Sequence, residues 1–306
     1  MQSKLMSMSE AVGQCVADGS SVALGLGLEA LIPFAAGHEI VRQGRRDLTL
    51  IGPISDILFD QLIGAGCVAR VCAAWAGNVS AGLGHCYRRA AERGEPRSIE
   101  VRDHSNFTMA LALLAGALGA PYVPTKTLLG SDVPTTNPGL RAGVSPVSGE
   151  RLLFVDALVP DVAIVHVQRA DEGGGAHAWG NLGVMADGSM AASRVIVVAE
   201  EIVSRDVIAS DPNRVLTPPQ KVFAVVHEPG GAHPSPVQGR WARDHEFFSE
   251  YHAATKTAAG FDSWRAVWID GVADRSQYLA KLAAGRVERL RVRRERLAAP
   301  VNFSAS

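Results

Sequence analysis

The sequence has almost no net charge. Its 30 Lys and Arg residues are balanced by 31 Asp and Glu residues, which leaves a formal net charge of -1 over 306 residues. Proteins that bind nucleic acids or anionic membranes carry an excess of basic residues on the binding face. The balance therefore argues against nucleic acid and membrane as partners, and favours small molecules and other proteins.

Long apolar segments are also lacking. The longest, residues 109–123, is interrupted by glycines and Pro121 and is shorter than the ~20 apolar residues that a membrane helix needs. The first 30 residues lack the pattern of a signal peptide. The four cysteines form neither a CxxC pair nor a metal-ligand spacing: Cys15, Cys67, Cys72 and Cys86. We therefore expect a cytoplasmic protein with reduced thiols.

The common motifs of cofactor binding and hydrolysis are absent. No Walker A, HExxH, GxSxG or zinc-ligand spacing occurs. Gly25-Leu26-Gly27 follows a predicted strand, but Ala30 stands where the dinucleotide fingerprint needs a third glycine. These absences argue against a metal site and a resident nucleotide cofactor. The glycine turn is then either a binding loop for a carbonyl or phosphate oxygen or a turn that needs glycine geometry.

What the sequence does contain is an alternation of β-branched runs and helix-period segments, which is typical of βαβ units around a mostly parallel sheet. The predicted strands are residues 21–24, 48–51, 68–73, 99–101, 162–165, 195–198 and 222–226. The predicted helices are residues 10–17 with Ser9 as the cap, 34–42, 57–63, 87–93, and 106–115 with Ser105 as the cap. We predict an α/β fold with an open, mostly parallel sheet flanked by helices.

Two regions depart from this alternation. Residues 125–150 are rich in Pro, Gly, Ser and Thr and show no period, which indicates a functional loop or a surface excursion. From Asp244 onward the pattern is helical, so we divide the chain into an α/β domain, residues 1–243, and a helical C-terminal extension, residues 244–306, that packs on it. The arginine-rich end of this extension is expected to be a solvated helix or a partner-facing arm.

Polar residues follow several predicted strands, where α/β sheets place their ligand-binding loops. His104-Ser105-Asn106 begins a helix and either faces a ligand or only caps that helix. Gln168 opens a glycine-rich loop that reaches Gly180. Glu200-Glu201 supplies either a site carboxylate or a turn cap, and His233 is either a ligand contact or a structural residue.

Short segments occur in a distinctive order between about Met8 and Leu282. They are Val22-Ala23-Leu24-Gly25, Arg42-Gln43-Gly44 with Asp47-Leu48-Thr49, Gln61-Leu62-Ile63-Gly64-Ala65-Gly66, Gly119-Ala120-Pro121-Tyr122-Val123-Pro124, Asp161-Val162-Ala163-Ile164-Val165-His166 with Gln168, Glu200-Glu201-Ile202, Gly231-Ala232-His233-Pro234-Ser235 and Tyr278-Leu279. In this order they resemble the α subunit of the family I CoA-transferases, especially that of the glutaconate CoA-transferase group.

The resemblance implies the CoA-transferase fold, a homologous β subunit in an αβ or α2β2 complex, and an active site between the two chains. In this family the β subunit carries a glutamate that attacks the acyl-CoA thioester and then holds CoA as a glutamyl thioester. No residue of this chain matches that glutamate. The resemblance therefore implies no catalytic residue on this chain and no permanently bound cofactor, with acyl-CoA and a carboxylic acid as substrates.

Two positions bear on the reaction that the resemblance implies. Asn78 matches the asparagine of an Asn-Ser pair that shapes the acid pocket, but Val79 follows it and Ser80 is displaced by one. This change favours a more apolar acid than glutaconate. Asn106 stands where a ring-opening hydrolase branch carries a glutamate, which argues against that chemistry. Acyl-CoA hydrolysis and a non-catalytic binding role remain as the alternatives to CoA transfer.

The residues predicted to bind substrate share a place in the loops after strands or at helix starts, where they supply donors to developing oxyanions and to the substrate carboxylate. They are Gly25, Gly27, Asn78, Ser80, His104, Ser105, Asn106, Gln168 and His233.

Overall fold

The structure is a computed structural model that describes residues 2–292. Its strands are β1 (Ser21–Ala23), β2 (Leu48–Ile54), β3 (Val68–Trp75), β4 (Glu100–Asp103), β5 (Tyr122–Thr125), β6 (Leu140–Val144), β7 (Arg151–Asp156), β8 (Val162–Val167), β9 (Arg169–Ala170), β10 (Ala176–His177), β11 (Arg194–Ala199) and β12 (Val222–His227). Its helices are α1 (Met8–Cys15), α2 (Phe34–Arg42), α3 (Ile57–Gly64), α4 (His85–Arg93), α5 (Asn106–Leu118), α6 (Val133–Thr136), α7 (Met185–Ala191), α8 (Arg205–Ala209), α9 (His245–Ala254), α10 (Ala258–Arg265), α11 (Arg275–Ala280) and α12 (Arg286–Leu290).

Seven strands form one parallel sheet in the order β12-β11-β8-β1-β2-β3-β4. The predicted α/β class and mostly parallel sheet are confirmed. From the centre, the chain proceeds outward to β4 on one side and to β12 on the other. The boundary between β1 and β8 is therefore a topological switch point, beside which open α/β sheets bind their ligands at the carboxyl ends of the strands.

The central strands are buried on both faces because helices cover both sides of the sheet. In β8, Ile164 packs into the apolar cluster under α1, α2 and α3, whereas Ala163 and Val165 pack into the cluster under α5 and α7. Each fully buried Ile or Val side chain contributes about 1.5–3 kcal/mol relative to exposure. The continuous β-branched runs that predicted these strands therefore reflect burial on both faces.

A smaller antiparallel sheet, in the order β5-β7-β6, packs on α5. Leu140, Leu153 and Val155 point inward and contact Ala112 of that helix. The stretch 125–150 connects β5 to β7 and contains α6 and β6, so it is a surface excursion that carries one edge strand of this sheet. The glycine and the exposed positions of β6 explain why the sequence did not mark it as a strand.

The helix starts follow capping chemistry. Ser105 caps α5 as predicted, and its hydroxyl accepts from the backbone N–H of Thr108. The cap of α1 is Ser7 and not Ser9, so that prediction is wrong by two residues. Glu10 lies three residues after Ser7 and accepts a hydrogen bond from its N–H, which completes a capping box that Ser9 cannot form.

The helices after Asp244 are attached to the sheet through one buried carboxylate. Asp244 accepts hydrogen bonds from the Nε2 of His233 at 2.8 Å and from both the Nε and Nη2 of Arg286 at 2.8 Å. Its other role is to cap α9 by accepting from the N–H of Phe247. Burial alone would raise the pKa of Asp244, but the hydrogen bonds from His233 and Arg286 outweigh burial and hold the pKa well below its usual range.

Further contacts secure the same turn after β12. The hydroxyl of Tyr278 lies 3.0 Å from the Nδ1 of His233. Arg275 is buried, donates to the carbonyls of Gly230 and His233, and stacks on the ring of Tyr278. The helical segment that begins at Asp244 therefore packs on the α/β part of the chain. The predicted arginine-rich end from residue 293 onward lies outside the described residues.

We expect the substitution Arg286→Met to lower the free energy of unfolding by about 3–5 kcal/mol, because it leaves the buried carboxylate of Asp244 short of its cation. The matched control is Arg88→Met, whose pair with Glu92 is 52% exposed on both side chains. An exposed pair of this kind contributes at most about 0.5 kcal/mol. Urea unfolding followed by circular dichroism measures both, and equal losses would contradict the role assigned to Arg286.

The buried imidazoles predict a loss of stability in acid. Burial lowers the pKa of His233 to about 4, despite its hydrogen bond to Asp244, and lowers the pKa of His38 well below its usual value. The unfolded chain takes up these protons near pH 6.5, whereas folded His233 takes up its proton only near pH 4 and folded His38 only at a pH well below its usual pKa. Stability should therefore fall as the pH drops below about 6.5, and His233 should contribute about 1.4 kcal/mol per pH unit between about 6.5 and 4.

Urea titrations at several pH values between 7.5 and 4.5 test this slope. The variant His233→Asn cannot bind the proton and should show a shallower slope than the wild type. A free energy of unfolding that stays constant or rises on acidification would contradict the prediction.

Candidate active site

The loops at the carboxyl edge of the parallel sheet bring most of the predicted residues to one side of the molecule. They include Gly25 after β1, Asn78 after β3, His104 after β4, Gln168 after β8 and Glu200 after β11. The same edge carries Ser55-Asp56 after β2 and Glu228 after β12, which were not singled out in the sequence. The loops after β1, β2 and β3 are directly connected by hydrogen bonds and close packing.

The glycine turn after β1 is buried and tightly packed. Gly25 has a φ of +62°, and a Cβ at this position would lie 1.9 Å from the Oγ of Ser55. A Cβ at Gly27 would lie 2.5 Å from the carbonyl oxygen of Ala30. Both glycines are therefore required by backbone conformation or close approach, whatever the turn binds.

Asn78 is fully buried and its side-chain amide is used within the chain. Its Oδ1 accepts from the N–H groups of Ser80 and Ala81, and its Nδ2 donates to the carbonyl of Phe248 at 2.8 Å. Asn78 thus shapes the turn after β3 and ties it to α9. Ser80, on the same turn, is half-buried, and its hydroxyl contacts Arg243 at 3.1 Å and the Nδ1 of His245 at 3.4 Å.

A buried ion pair beside this turn was not singled out in the sequence. Arg243 donates to the Oδ2 of Asp56 at 2.6 Å and to the Oγ of Ser80 at 3.1 Å, and both charged side chains are 0% exposed. Asp56 has a φ of +47°, which is unusual for a residue other than glycine. It also accepts from the N–H of Val79. The only sequence signal was the position of Asp56 between a strand and a helix, and nothing marked Arg243.

His104-Ser105-Asn106 lies between β4 and α5. His104 is buried, and among residues 2–292 its Nδ1 has no hydrogen-bond partner. Burial, together with the charge of Arg102, lowers the pKa of His104 to about 4, so the ring is neutral at pH 7. Ser105 is used as the helix cap, whereas Asn106 is exposed in the first turn of α5, where the helix dipole favours negative charge.

Gln168 is buried and connects two loops. Its Nε2 donates to the carbonyls of Trp179 and Gln238, and its Oε1 accepts from the N–H of Trp179. His177, in the same glycine-rich loop, is buried against the carbonyl of Ile208. Gln168 therefore positions Trp179 through its main chain.

Glu200 is a buried acceptor and Glu201 is an exposed partner of Arg240. Glu200 accepts from the Nε2 of His166 at 2.8 Å, from the Nε1 of Trp241 at 2.6 Å and from the N–H of Gly230. Burial alone would raise the pKa of Glu200, but these hydrogen bonds, that of His166 first, outweigh burial and lower it.

The predicted site residues thus fall into three groups along the edge. Gly25, Gly27, Asn78 and Ser80 surround the ends of β1 to β3, the stretch 104–106 follows β4, and Gln168 follows β8. His233 is held in the network around Asp244, on a loop that contacts the segment after Gly27 through the hydrogen bond of Ser235 to the carbonyl of Glu29. In the first two groups, Asn106 is exposed, whereas Ser80 is half-buried with its hydroxyl against Arg243.

Metal-ligand clusters and membrane-length helices are both missing from the described part of the chain. Within residues 2–292, no three His, Cys, Asp or Glu side chains are placed to hold a metal ion. In the same range, the helices are too short or too polar to cross a membrane.

Comparison with known proteins places this geometry in a family. The model of the coenzyme A transferase family matches residues 5–228. The α-type subunit of 3-oxoadipate CoA-transferase from Pseudomonas knackmussii is 39% identical over 92% of this chain and 99% of that one. A cholesterol ring-cleaving hydrolase subunit of Rhodococcus jostii is 28% identical over 91% of this chain and 96% of that one.

The structural comparison agrees with the sequence comparison. The α-type subunit of glutaconate CoA-transferase from Acidaminococcus fermentans is 33% identical over 95% of each chain. The crystal structure of glutaconate CoA-transferase from that organism superimposes with a TM-score of 0.88, over 95% of this chain and 96% of that chain. The resemblance found in the sequence is confirmed, and the chain belongs to the coenzyme A transferase family as a chain of the α type.

Proposed function

We propose that this chain is the α subunit of a heteromeric CoA-transferase, which moves CoA between an acyl-CoA and a carboxylic acid and whose nucleophilic glutamate lies on a partner β subunit. The observation that carries the proposal is family membership as a chain of the α type. The two buried carboxylates at the candidate site support it. Asp56 is paired with Arg243, and Glu200 accepts from three donors, so neither is placed to attack a thioester.

The proposed reaction proceeds by covalent catalysis. The carboxylate of the partner glutamate attacks the thioester carbonyl and forms a mixed anhydride while CoA leaves as a thiolate. The thiolate then attacks the glutamyl carbonyl, which releases the first acid and leaves CoA on the glutamate as a thioester. The acceptor carboxylate then attacks the glutamyl thioester and forms a second mixed anhydride while the CoA thiolate leaves. The thiolate attacks the acyl carbonyl of this anhydride, which gives the new acyl-CoA and regenerates the free glutamate.

In this mechanism our chain supplies hydrogen-bond donors and shape. The amide of Asn106 can donate a hydrogen bond to an anion, and the dipole of α5 stabilises negative charge at the same end of the helix. Both would stabilise a developing oxyanion or the remote carboxylate of an acid. The hydroxyl of Ser80 is oriented by Arg243. The neutral ring of His104 offers an acceptor or a donor without bringing a charge.

The acid substrate is proposed by class. Two of the relatives are named for 3-oxoadipate and glutaconate, which are dicarboxylic acids, so this class is the first to test. Val79 stands beside Asn78 where the family pair has serine, which favours an acid with a less polar end.

The proposed complex is αβ or α2β2. Cytoplasmic location is proposed because the four cysteines are buried free thiols.

One alternative has a specific observation behind it. A ring-cleaving hydrolase subunit matches nearly the whole chain, so a hydrolase of the same fold, with water as the acceptor, is the alternative. Hydrolysis of the thioester would release free CoA, whereas hydrolysis of a ring carbon–carbon bond would leave the thioester intact. Asn106 opposes this alternative, because an amide cannot act as the general base that a glutamate at that position would provide.

We expect a CoA-sized adduct on the partner subunit when the co-purified complex is incubated with acyl-CoA. Intact-mass analysis should show the adduct on the partner and none on this chain, and borohydride should reduce the glutamyl thioester. Addition of an acceptor acid should remove the adduct. Release of free CoA without an adduct and without any acceptor would instead establish hydrolysis.

We expect Asn106→Ala to lower kcat/KM of the complex by about 10- to 150-fold, the equivalent of about 1.5–3 kcal/mol for a hydrogen bond to a charged group. The matched control is Asn213→Ala, since Asn213 is also exposed but lies in the turn after α8. Steady-state kinetics with saturating and limiting acid measure the effect. A value of kcat/KM that equals that of the control variant would remove Asn106 from the site.

A further inference from the structure

A second concave site lies at the carboxyl edge, beyond the switch point from Ser80 and Asn106. It is a cleft of about 1090 Å³ beside the ends of β8, β11 and β12. Its charged and aromatic lining residues are Arg169, Trp179, Glu200, Glu201, Arg214, Arg240, Trp241 and Arg291. We call it the arginine–tryptophan cleft.

Three of the four arginines of the cleft lie over the rings of the two tryptophans. The guanidinium carbons of Arg169 and Arg214 lie 5.6 and 4.9 Å from the ring centroid of Trp179. That of Arg291 lies 5.2 Å from the ring of Trp241. The Nε groups of Arg169, Arg214 and Arg291 contact His177, Asp211 and Glu288, respectively. The stacking restricts the plane of each guanidinium, and the terminal Nη groups are the donors that an anion would contact.

Buried hydrogen bonds hold both tryptophans in place from below. The Nε1 of Trp241 donates to Glu200, whose carboxylate is also bound by His166 at 2.8 Å. Gln168, which is fully buried, binds the N–H and the carbonyl of Trp179. The two tryptophans under the arginines are therefore held by buried side chains, whereas the arginines themselves are partly exposed.

The lining of the cleft carries four arginines and two glutamates. One of the glutamates, Glu200, is turned inward to its own donors. Glu201 is paired with Arg240, and two carboxylates outside the lining pair with Arg214 and Arg291, namely Asp211 and Glu288. These three ion pairs join exposed side chains and contribute little in water, so an anion with several negative charges can compete for the guanidinium groups.

We infer that the arginine–tryptophan cleft binds a diphosphate-bearing anion. Phosphate oxygens match the fork of donors on each guanidinium, and a diphosphate spans more than one arginine at once. Two sources share this chemistry: the diphosphate of CoA itself, an assignment that rests on the proposed function, and a separate nucleotide. The proposed CoA transfer does not by itself require this chain to hold either.

The test uses inorganic pyrophosphate as the probe and the co-purified complex as the protein. Calorimetry should show saturable binding that weakens as salt rises. The double variant Arg214→Glu, Arg291→Glu should bind about tenfold more weakly or worse. The control is Arg88→Glu, because Arg88 and Arg214 are similarly exposed, 52% and 46%, and each pairs with a nearby carboxylate. The control should bind like the wild type.

Kinetics then distinguish the two sources of diphosphate. If the double variant raises KM for an acyl-CoA but not for the matching acyl-pantetheine, which lacks the diphosphate, the anion is that of CoA. If pyrophosphate binding is lost while both KM values stay unchanged, the ligand is a separate nucleotide, and titration with ADP should then show the same loss.

Pyrophosphate that does not bind to the wild type, or that binds equally to the double variant, would overturn the inference. Tricarballylate, a phosphate-free tricarboxylate, would overturn the phosphate assignment if it bound as tightly as pyrophosphate. Because pyrophosphate titration needs no turnover, failure of the cleft and failure of the proposed CoA transfer are separately visible.

Discussion

The carboxylate of Asp244 is the contact on which much of the tertiary structure depends. It accepts from His233 on the turn after β12 and from Arg286 on α12, and it caps α9. A buried carboxylate is costly unless its partners are complete, so loss of any one of these contacts weakens the anchor that the others share. The placement of α9 follows from them, and α9 in turn carries Phe248, whose carbonyl receives the amide of Asn78.

The carboxyl edge of the sheet divides at the switch point into two halves with different physical character. The half formed by β1 to β4 is closely packed around the buried pair of Asp56 and Arg243, and Asn106 at the start of α5 is exposed beside it. The half formed by β8, β11 and β12 is an open cleft whose arginines lie over Trp179 and Trp241. Both halves depend on buried ionic or polar groups, Asp56 with Arg243 in the first and Glu200 with His166 in the second.

Strands and helix caps could be predicted from the sequence where neighbouring residues determine them. The strands through Val162 and Val195 were predictable because burial on both faces demands continuous β-branched runs, and the cap at Ser105 was predictable from its position before an apolar helix. The cap at Ser7 was missed because a capping box needs Glu10 at the third position, and two serines competed for it. The ordered family motifs also identified the fold.

The sequence by itself determined the parallel α/β class, the family and the loops in which polar residues follow strands. Periodicity is a local property of the chain, and the order of short motifs can be read along the chain without knowledge of its tertiary contacts. Only the tertiary structure decided which of those polar residues have their side chains bound within the protein. Asn78 and Gln168 give their amides to backbone groups up to 170 residues away, and Arg243 meets Asp56 across 187 residues. Such partners meet only when the whole sheet and its helices have packed together, so no local sequence pattern could predict them.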